Sequence, residues 1–276
     1  MRSRNALLVH FVAFGVGVLF LLPLYWAIVA SLRETGLPPP VTVEWWPATP
    51  AWDNYRALFQ TVPMWRYTLN SLVVVAGAVP ITLVTAALAG FGMSQLLAPV
   101  RKKLILVSVV LLMIPSAAVW VFRFQILSWL GLLDSLWALI IPSFAASSPL
   151  FVLLYHWTFR RIPGELFDHA QLEGGNAWSA LFRIALPMSV PTTIAVAILA
   201  FVLYWSDFVS PVLFIFDPKR YPLPIGLQIL KQLDSTNFPL LMAGAVFMTI
   251  PVILLLFVLQ RLFLQGNSLG NLFDRG

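Results

Sequence analysis

LNSLVVVAGAVPITLVTAALAGFGMSQLL, residues 69–97, carries no charged side chain from end to end. Crossing the ~30 Å hydrocarbon core of a bilayer takes ~20 predominantly apolar residues, because an α-helix rises ~1.5 Å per residue. This stretch meets that length. Outward from it, similar stretches occur at about 6–31, 104–127, 137–159, 188–210 and 241–264. The one at 137–159 is interrupted by Ser143, Ser147, Ser148 and Pro149. Pro80, Pro115, Pro142, Pro191 and Pro251 lie inside or near the runs; membrane helices tolerate proline where neighbours satisfy the freed carbonyl. A transmembrane barrel would show alternating segments of ~10 residues instead of continuous runs. The reading is an all-α membrane protein with six transmembrane helices, in a single domain over 1–276.

Composition agrees. Hydrophobic residues make up 60% of the 276 and charged residues 10%, against about 25% charged in a typical soluble domain. The net charge of +6 belongs to loops beside lipid and does not call for nucleic acid. With no cysteine, the chain has no disulfide and no thiolate metal site. Arg2 and Arg4 before an apolar run resemble a signal peptide, but the run continues to Ser31, well beyond an h-region of ~7–15 residues. It is expected to be a retained first helix.

Lysine and arginine set the orientation. Arg2, Arg4, Arg101, Lys102, Lys103, Arg160, Arg161, Arg183, Arg261 and Arg275 fall on one side over short segments. Arg33, Arg56, Arg66, Lys219, Arg220 and Lys231 fall on the other, diluted by acidic residues. Both termini are therefore expected in the cytoplasm. The external loops run over about 32–68 and 211–240. Trp45, Trp46, Trp52 and Trp65 in the first suit either the membrane interface or an external partner. Pro211, Pro218, Pro222 and Pro224 in the second predict a rigid extended course.

The polar segment 160–187, RRIPGELFDHAQLEGGNAWSALFRIALP, is patterned. Pro163 suits a first helical turn, and Glu165 puts negative charge at that helix's positive end. Gly174 and Gly175 supply a stop, and Asn176 can cap a second helix. Trp178, Leu181, Phe182 and Ala185 recur at i, i+3, i+4 and i+7, one helical face. The prediction is two short amphipathic helices in a cytoplasmic hairpin, compatible both with docking into a groove on another protein and with lying on the membrane surface.

This segment resembles the cytoplasmic signature loop of binding-protein-dependent ABC importer permeases: E-A-A, three residues, G, nine residues, I-x-L-P. Asp168, His169 and Ala170 stand at the E-A-A positions, Gly174 at the glycine, and Ile184, Leu186 and Pro187 at the ending. Asp for Glu and His for Ala are departures. W-D-N-Y (52–55), N-S-L (70–72), M-I-P (113–115), W-S-D-F-V-S-P (205–211), Y-P-L-P-I-G-L-Q (221–228) and the run from Pro251 to Phe263 extend the likeness to the carbohydrate-type subgroup, in particular the second, six-helix permease of maltose-type importers. The tail GNSLGNLFDRG departs from that subgroup's ending.

The resemblance implies a type I (MetI-like) permease architecture in a prokaryotic plasma membrane. It implies a second permease subunit, two ATPase subunits, an extracellular solute-binding protein and a sugar-like substrate, with polyols and glycerol phosphates also open. It makes Glu165, Asp168, His169, Ala170, Glu173, Gly174, Gly175, Trp178, Phe182, Ile184 and Pro187 the residues that couple to an ATPase. The chain has no G-x-x-x-x-G-K-[ST] loop, so ATP and Mg are expected on the partner ATPases and no cofactor in this chain. Asn70, Ser116, Gln125, Ser147, Ser148, Tyr204 and Trp205 have the neutral polar and aromatic groups that could line a sugar path; the same groups also serve helix packing. Of the ionisable residues near apolar runs, Arg123 and Asp207 sit near external helix ends, where snorkelling or a mutual salt bridge would suffice, and His156 sits near a cytoplasmic end. Neither a mid-membrane carboxylate relay, as a secondary transporter needs, nor a metal cluster, paired catalytic carboxylates or a nucleophile motif is evident, so no catalytic residue is assigned.

Overall fold

The computed structural model describes residues 2–273, with side chains from Val9 to Leu259. The side chains of Arg2, Arg4 and Arg261, and Arg275 and the end of the tail, which enter the orientation and tail readings, lie outside the described residues. Among the described residues every regular element is helical. The helices are α1 (Arg2–Ser31), α2 (Asp53–Thr61), α3 (Met64–Gln95), α4 (Ala98–Met113), α5 (Ser116–Trp129), α6 (Trp137–Ile140), α7 (Pro149–Phe159), α8 (Gly164–Leu172), α9 (Ala177–Ser179), α10 (Leu186–Met188), α11 (Val190–Trp205), α12 (Val209–Phe214), α13 (Leu223–Leu233) and α14 (Phe238–Phe273).

Four segments are long and apolar enough to cross a membrane: Val9–Ser31, Met64–Gln95, Trp137–Phe159 and Phe238–Leu259. The expected single helix over 104–127 is instead α4 and α5, bent by 95°. The bend falls at Ile114 and Pro115, both extended. Proline lacks the N–H an inner turn needs and drives the preceding residue out of the helical region. The segment Ala177–Met188 meets α11 at 80°, and α11 ends at Trp205, short of the expected 210. Counting each bent pair as one span gives up to six. The loop over 211–240, expected to be external, is not extended. It contains most of α12, a 3₁₀ turn at Pro218–Arg220 and all of α13. Pro218 and Pro224 sit in first turns, where the missing N–H costs no helical bond.

The described residues group into two compact units, one holding the chain up to Trp65 with Ile225–Pro251, the other Arg66–Pro224 and the chain from Val252. In the first unit the fully buried Asn54, from the W-D-N-Y motif, satisfies backbone left open where α1 ends. Its Nδ2 donates to the carbonyls of Ser31 (2.9 Å) and Arg33 (2.7 Å), and its Oδ1 accepts from Thr35 (2.6 Å). Asn237 Oδ1 accepts the Gly36 N–H at 3.1 Å. Trp45, Trp46, Trp52 and Trp65 are exposed.

The core of the second unit joins α3, α7 and α11: Ala86, Ala87 and Phe91 pack with Phe151, Tyr155 and Phe159 and with Val196 and Ala200. Hydroxyl pairs cross the same interface. Tyr155 donates to Thr193 Oγ1 at 3.0 Å, and Thr158 pairs with Thr192 at 2.7 Å. His156 is buried there, its Nδ1 unpartnered among the described residues. At Gly90 the backbones of α3 and α7 come so close that a Cβ would lie 2.7 Å from Tyr155 Cβ and 2.9 Å from the Val152 carbonyl oxygen.

Between α6 and α7 the backbone breaks where the serines predict it. Residues Ile141–Ala145 form a 3₁₀ turn, and Ala146 and Ser147 follow at φ 60° and 58°. Irregular backbone at membrane depth needs protein partners. They come from α3: Thr85 Oγ1 donates to the Ser143 carbonyl at 2.8 Å, and Thr82 Oγ1 pairs with Ser147 Oγ at 2.5 Å.

Candidate functional site

Two places in the second unit hold the residues that the sequence singles out: a hairpin over 163–188 and a cavity beside the 146–148 break.

The hairpin's first arm is α8, with Pro163 at its N-cap and Glu165 in its first turn. Gly174, at φ 82°, ends it. The Gly175 N–H donates to the Ala170 carbonyl (2.7 Å) and the Gly174 N–H to the Gln171 carbonyl (3.0 Å). These are the paired closing bonds of a Schellman motif. Asn176 then caps the second arm, its Oδ1 accepting the Ser179 N–H at 2.9 Å. That arm runs through α9, a π-helical segment at Ala180–Ala185 and α10. The wider i→i+5 turn separates residues that an α-helix would stack. Leu181 and Ala185 are buried, whereas Trp178 and Phe182 are 60% and 57% exposed, so the single face expected from the spacing is split in two.

The inward side joins the α3–α7–α11 core through Phe167, Leu181, Ile184 and Ala185. The Phe167 ring lies 6.2 Å from that of Phe91. Outward, Trp178 and Phe182 stack with ring centroids 5.9 Å apart, and Leu172 is 83% exposed. Glu165, Asp168, His169, Glu173 and Pro187 are exposed, and Ala170 is half-buried. The result is an apolar patch with a charged rim on an arm tied to the bundle by buried rings.

The cavity encloses about 520 Å³, within the ~300–1,000 Å³ of small-molecule pockets. Of the path candidates, Ser116, Ser147, Ser148 and Tyr204 line it. Ser147 Oγ bonds both Thr82 (2.5 Å) and the Tyr204 hydroxyl (2.7 Å), so one hydroxyl chain links α3, the broken segment and α11. The other three candidates are elsewhere. Asn70 Nδ2 donates to the carbonyls of Lys219 and Tyr221, each at 2.9 Å. Its neighbour Ser71 accepts the Leu223 N–H at 2.8 Å, a donor lying between two prolines that have none. Gln125 is exposed on α5 away from the lining. Trp205 is 1% exposed and stacked on Phe201.

Trp120, Arg123 and Asp207 line the cavity but are not among those path candidates. The M-I-P break is the signal for Trp120 and Arg123, since the turn into α5 precedes them, and the W-S-D-F-V-S-P motif carries Asp207. Among the described residues Arg123 and Asp207 form no salt bridge.

Asp207 is held on the turn into α12, its Oδ1 accepting the Ser210 N–H at 3.1 Å. Asp134 anchors the far end of α12. Its N–H donates to the Phe214 carbonyl at 2.7 Å. Its Oδ1 accepts from the amides of Asp217 (2.8 Å) and Phe216 (2.9 Å), and its Oδ2 pairs with Arg220 at 2.6 Å. The two amides, Asp217 first, and then the guanidinium hold this carboxyl below the usual carboxylate range. A depressed folded-state pKa gives stability that is present above the unfolded value of ~3.9 and is lost as pH falls through the folded one. The melting temperature of the wild type is therefore expected to fall more on acidification below about pH 4 than that of Asp134→Asn. Parallel curves for the two proteins would remove Asp134 as the cause.

The family described as "Binding-protein-dependent transport system inner membrane component" matches residues 79–267. The chain is 27% identical over 252 residues to the sulfoquinovosyl glycerol transport system permease protein SmoH of Agrobacterium fabrum, covering 91% of this chain and 88% of that one. It is 26% identical over 259 residues to the arabinooligosaccharides transport system permease protein AraQ of Bacillus subtilis, covering 93% and 92%. Its fold is similar to a chain in the crystal structure of a bacterial ABC transporter involved in the import of the acidic polysaccharide alginate, with a TM-score of 0.75 at 18% identity, covering 95% and 98%. The chain belongs to the inner-membrane components of binding-protein-dependent transport systems, and is a multi-pass permease subunit of an ABC importer rather than a secondary transporter.

Proposed function

We propose that this chain forms one half of the translocation path of a sugar importer and takes its driving force through the 163–187 hairpin. The observation that carries this reading is the two-sided hairpin. One side is locked into the bundle by Phe167, Leu181 and Ala185, and the other presents Trp178, Phe182 and Leu172 to the surroundings. An arm of this kind transmits a push as a rigid body, because close-packed cores shift between discrete arrangements rather than deforming smoothly. The exposed apolar patch and its charged rim fit a groove on an ATPase subunit. Closure of two such ATPases around ATP and Mg would move the arm, and α7 and α11, which flank it, would change the access of the path. The remaining partners are a second permease and an extracellular binding protein that delivers the solute; the dependence on a binding protein in the family's description supports the latter.

In this reading the chain crosses the membrane six times, with α4–α5 and α11 each supplying one further span, and both termini are cytoplasmic. The sugar-like substrate rests on the relatives' names and on a cavity lined by hydroxyls and aromatic rings.

The test is affinity purification of the assembled importer through a tag on this chain. The double variant Trp178→Ala/Phe182→Ala is expected to retain the second permease and to lose the ATPases by about tenfold or more, since exposed aromatic anchors carry ~2 kcal/mol or more in many interfaces. Undiminished ATPase recovery would overturn the docking role.

A further inference from the structure

The relatives' names leave the charge of the substrate open, ranging from arabinooligosaccharides to an acidic polysaccharide. We infer that Arg123 and Asp207 form a split charge pair that selects a neutral, hydroxyl-rich solute in the cavity and rejects a net anionic one. The inference rests on the cavity being part of the transport path.

Both residues line the same cavity, and both lie within electrostatic range of the Tyr204 hydroxyl. Among the described residues they do not pair with each other, and Arg123 makes neither a hydrogen bond nor an ion pair. One oxygen of Asp207 is engaged by the Ser210 amide; Oδ2 has no hydrogen-bond partner among the described residues. A guanidinium only donates and a carboxylate only accepts. A group that fits both must accept at one and donate at the other, which a sugar hydroxyl does without carrying charge. Trp120 in the lining offers an aromatic surface, and Ser147 and Tyr204 add hydroxyls. A carboxylate or sulfonate would gain at Arg123 but would meet the like charge of Asp207 in the same cavity, where Coulomb terms are stronger than in bulk water. Charged groups near the membrane interior tend to pair with each other or to face a path; here the pairing is absent.

The chain has no cysteine, so Ser116→Cys, exposed at the start of α5 on the cavity lining, places a single thiol in this subunit. In membrane vesicles containing the assembled importer, maleimide labelling of this chain is followed by mass spectrometry. The probes are lactose, trehalose and arabinobiose, with digalacturonate as the anionic probe. At least one neutral sugar, supplied at about ten times its dissociation constant, is expected to slow labelling about tenfold by mass action, and digalacturonate to have no effect. Adding Arg123→Gln should abolish the neutral protection. Adding Asp207→Asn, which keeps the Oδ1 acceptor for Ser210, should let digalacturonate protect. Melting temperatures of both variants check that they fold.

If no sugar protects the thiol, the cavity is not on the path and the proposed function loses its substrate route. If digalacturonate protects as well as a neutral sugar while Asp207 is intact, the route stands and the charge selection fails. Neutral protection that survives Arg123→Gln, or digalacturonate still excluded by Asp207→Asn, would also overturn the pair.

Discussion

A Gly90→Val protein is expected to be destabilised by about 3 kcal/mol, at the upper end of overpacking costs, with an apparent melting temperature roughly 6–12 °C lower in detergent. The added Cβ would lie 2.7 Å from Tyr155 Cβ, 2.9 Å from the Val152 oxygen and 3.0 Å from the His156 nitrogen. Two of those atoms are backbone, so no side-chain rotation relieves the contact. α3 and α7 would have to separate. That would stretch the packing of Phe91 against Phe159, whose rings are now 5.7 Å apart, and weaken the seat of Phe167. Gly92, two residues on, has nothing within 4 Å of a built Cβ, so Gly92→Val serves as the control and should melt close to wild type. Equal melting of the two variants would refute the close crossing.

The second large effect is expected at the hairpin turn. Gly175→Ala should cut solute uptake by about tenfold or more, the equivalent of about 1.4 kcal/mol, because its Cβ would run into the Ala170 carbonyl oxygen and lie 2.9 Å from Ser179 Oγ. That carbonyl accepts the bond that closes the turn. Gly174→Ala meets open space and incurs only the left-handed backbone cost of roughly 1–2 kcal/mol, so it should transport better than Gly175→Ala. The signature spacing points to Gly174, and the close contact points to Gly175. Uptake and transport-stimulated ATP hydrolysis in reconstituted vesicles check both. Wild-type uptake by Gly175→Ala would mean that the turn need not be closed for coupling.

The parts of the candidate site legible in the sequence are those with local chemistry. Gly174, Asn176 and Glu165 act within four residues of their partners, so propensity and capping rules reach them. The split of Trp178 and Phe182 from Leu181 and Ala185 was not legible, because it arises from a π-helical segment that the core imposes on a sequence with ordinary α-helical spacing. Asn70 and Ser71 find their partners 149 to 152 positions away. A short N-S-L motif carries no record of which distant backbone it will hold. Arg123 and Asp207 stand out as charges near apolar runs, but their meeting in one cavity depends on the 95° bend before α5.

Hydrophobic length alone determined that this chain lives in lipid and is helical, since a bilayer leaves isolated backbone no alternative to internal hydrogen bonding. Gly174 and Gly175 likewise announced where α8 would stop, whereas Pro115 breaks a run read as one helix and Pro80 and Pro251 lie inside α3 and α14. Tertiary structure decided what those stops are used for. It set which broken backbone is rescued by Thr82 and Thr85, which face of the hairpin is buried and which serine hydroxyls border a cavity rather than a helix seam. The reason is that apolar periodicity encodes exposure relative to a helix axis, whereas a site is defined by the distances between helices, which only close packing specifies.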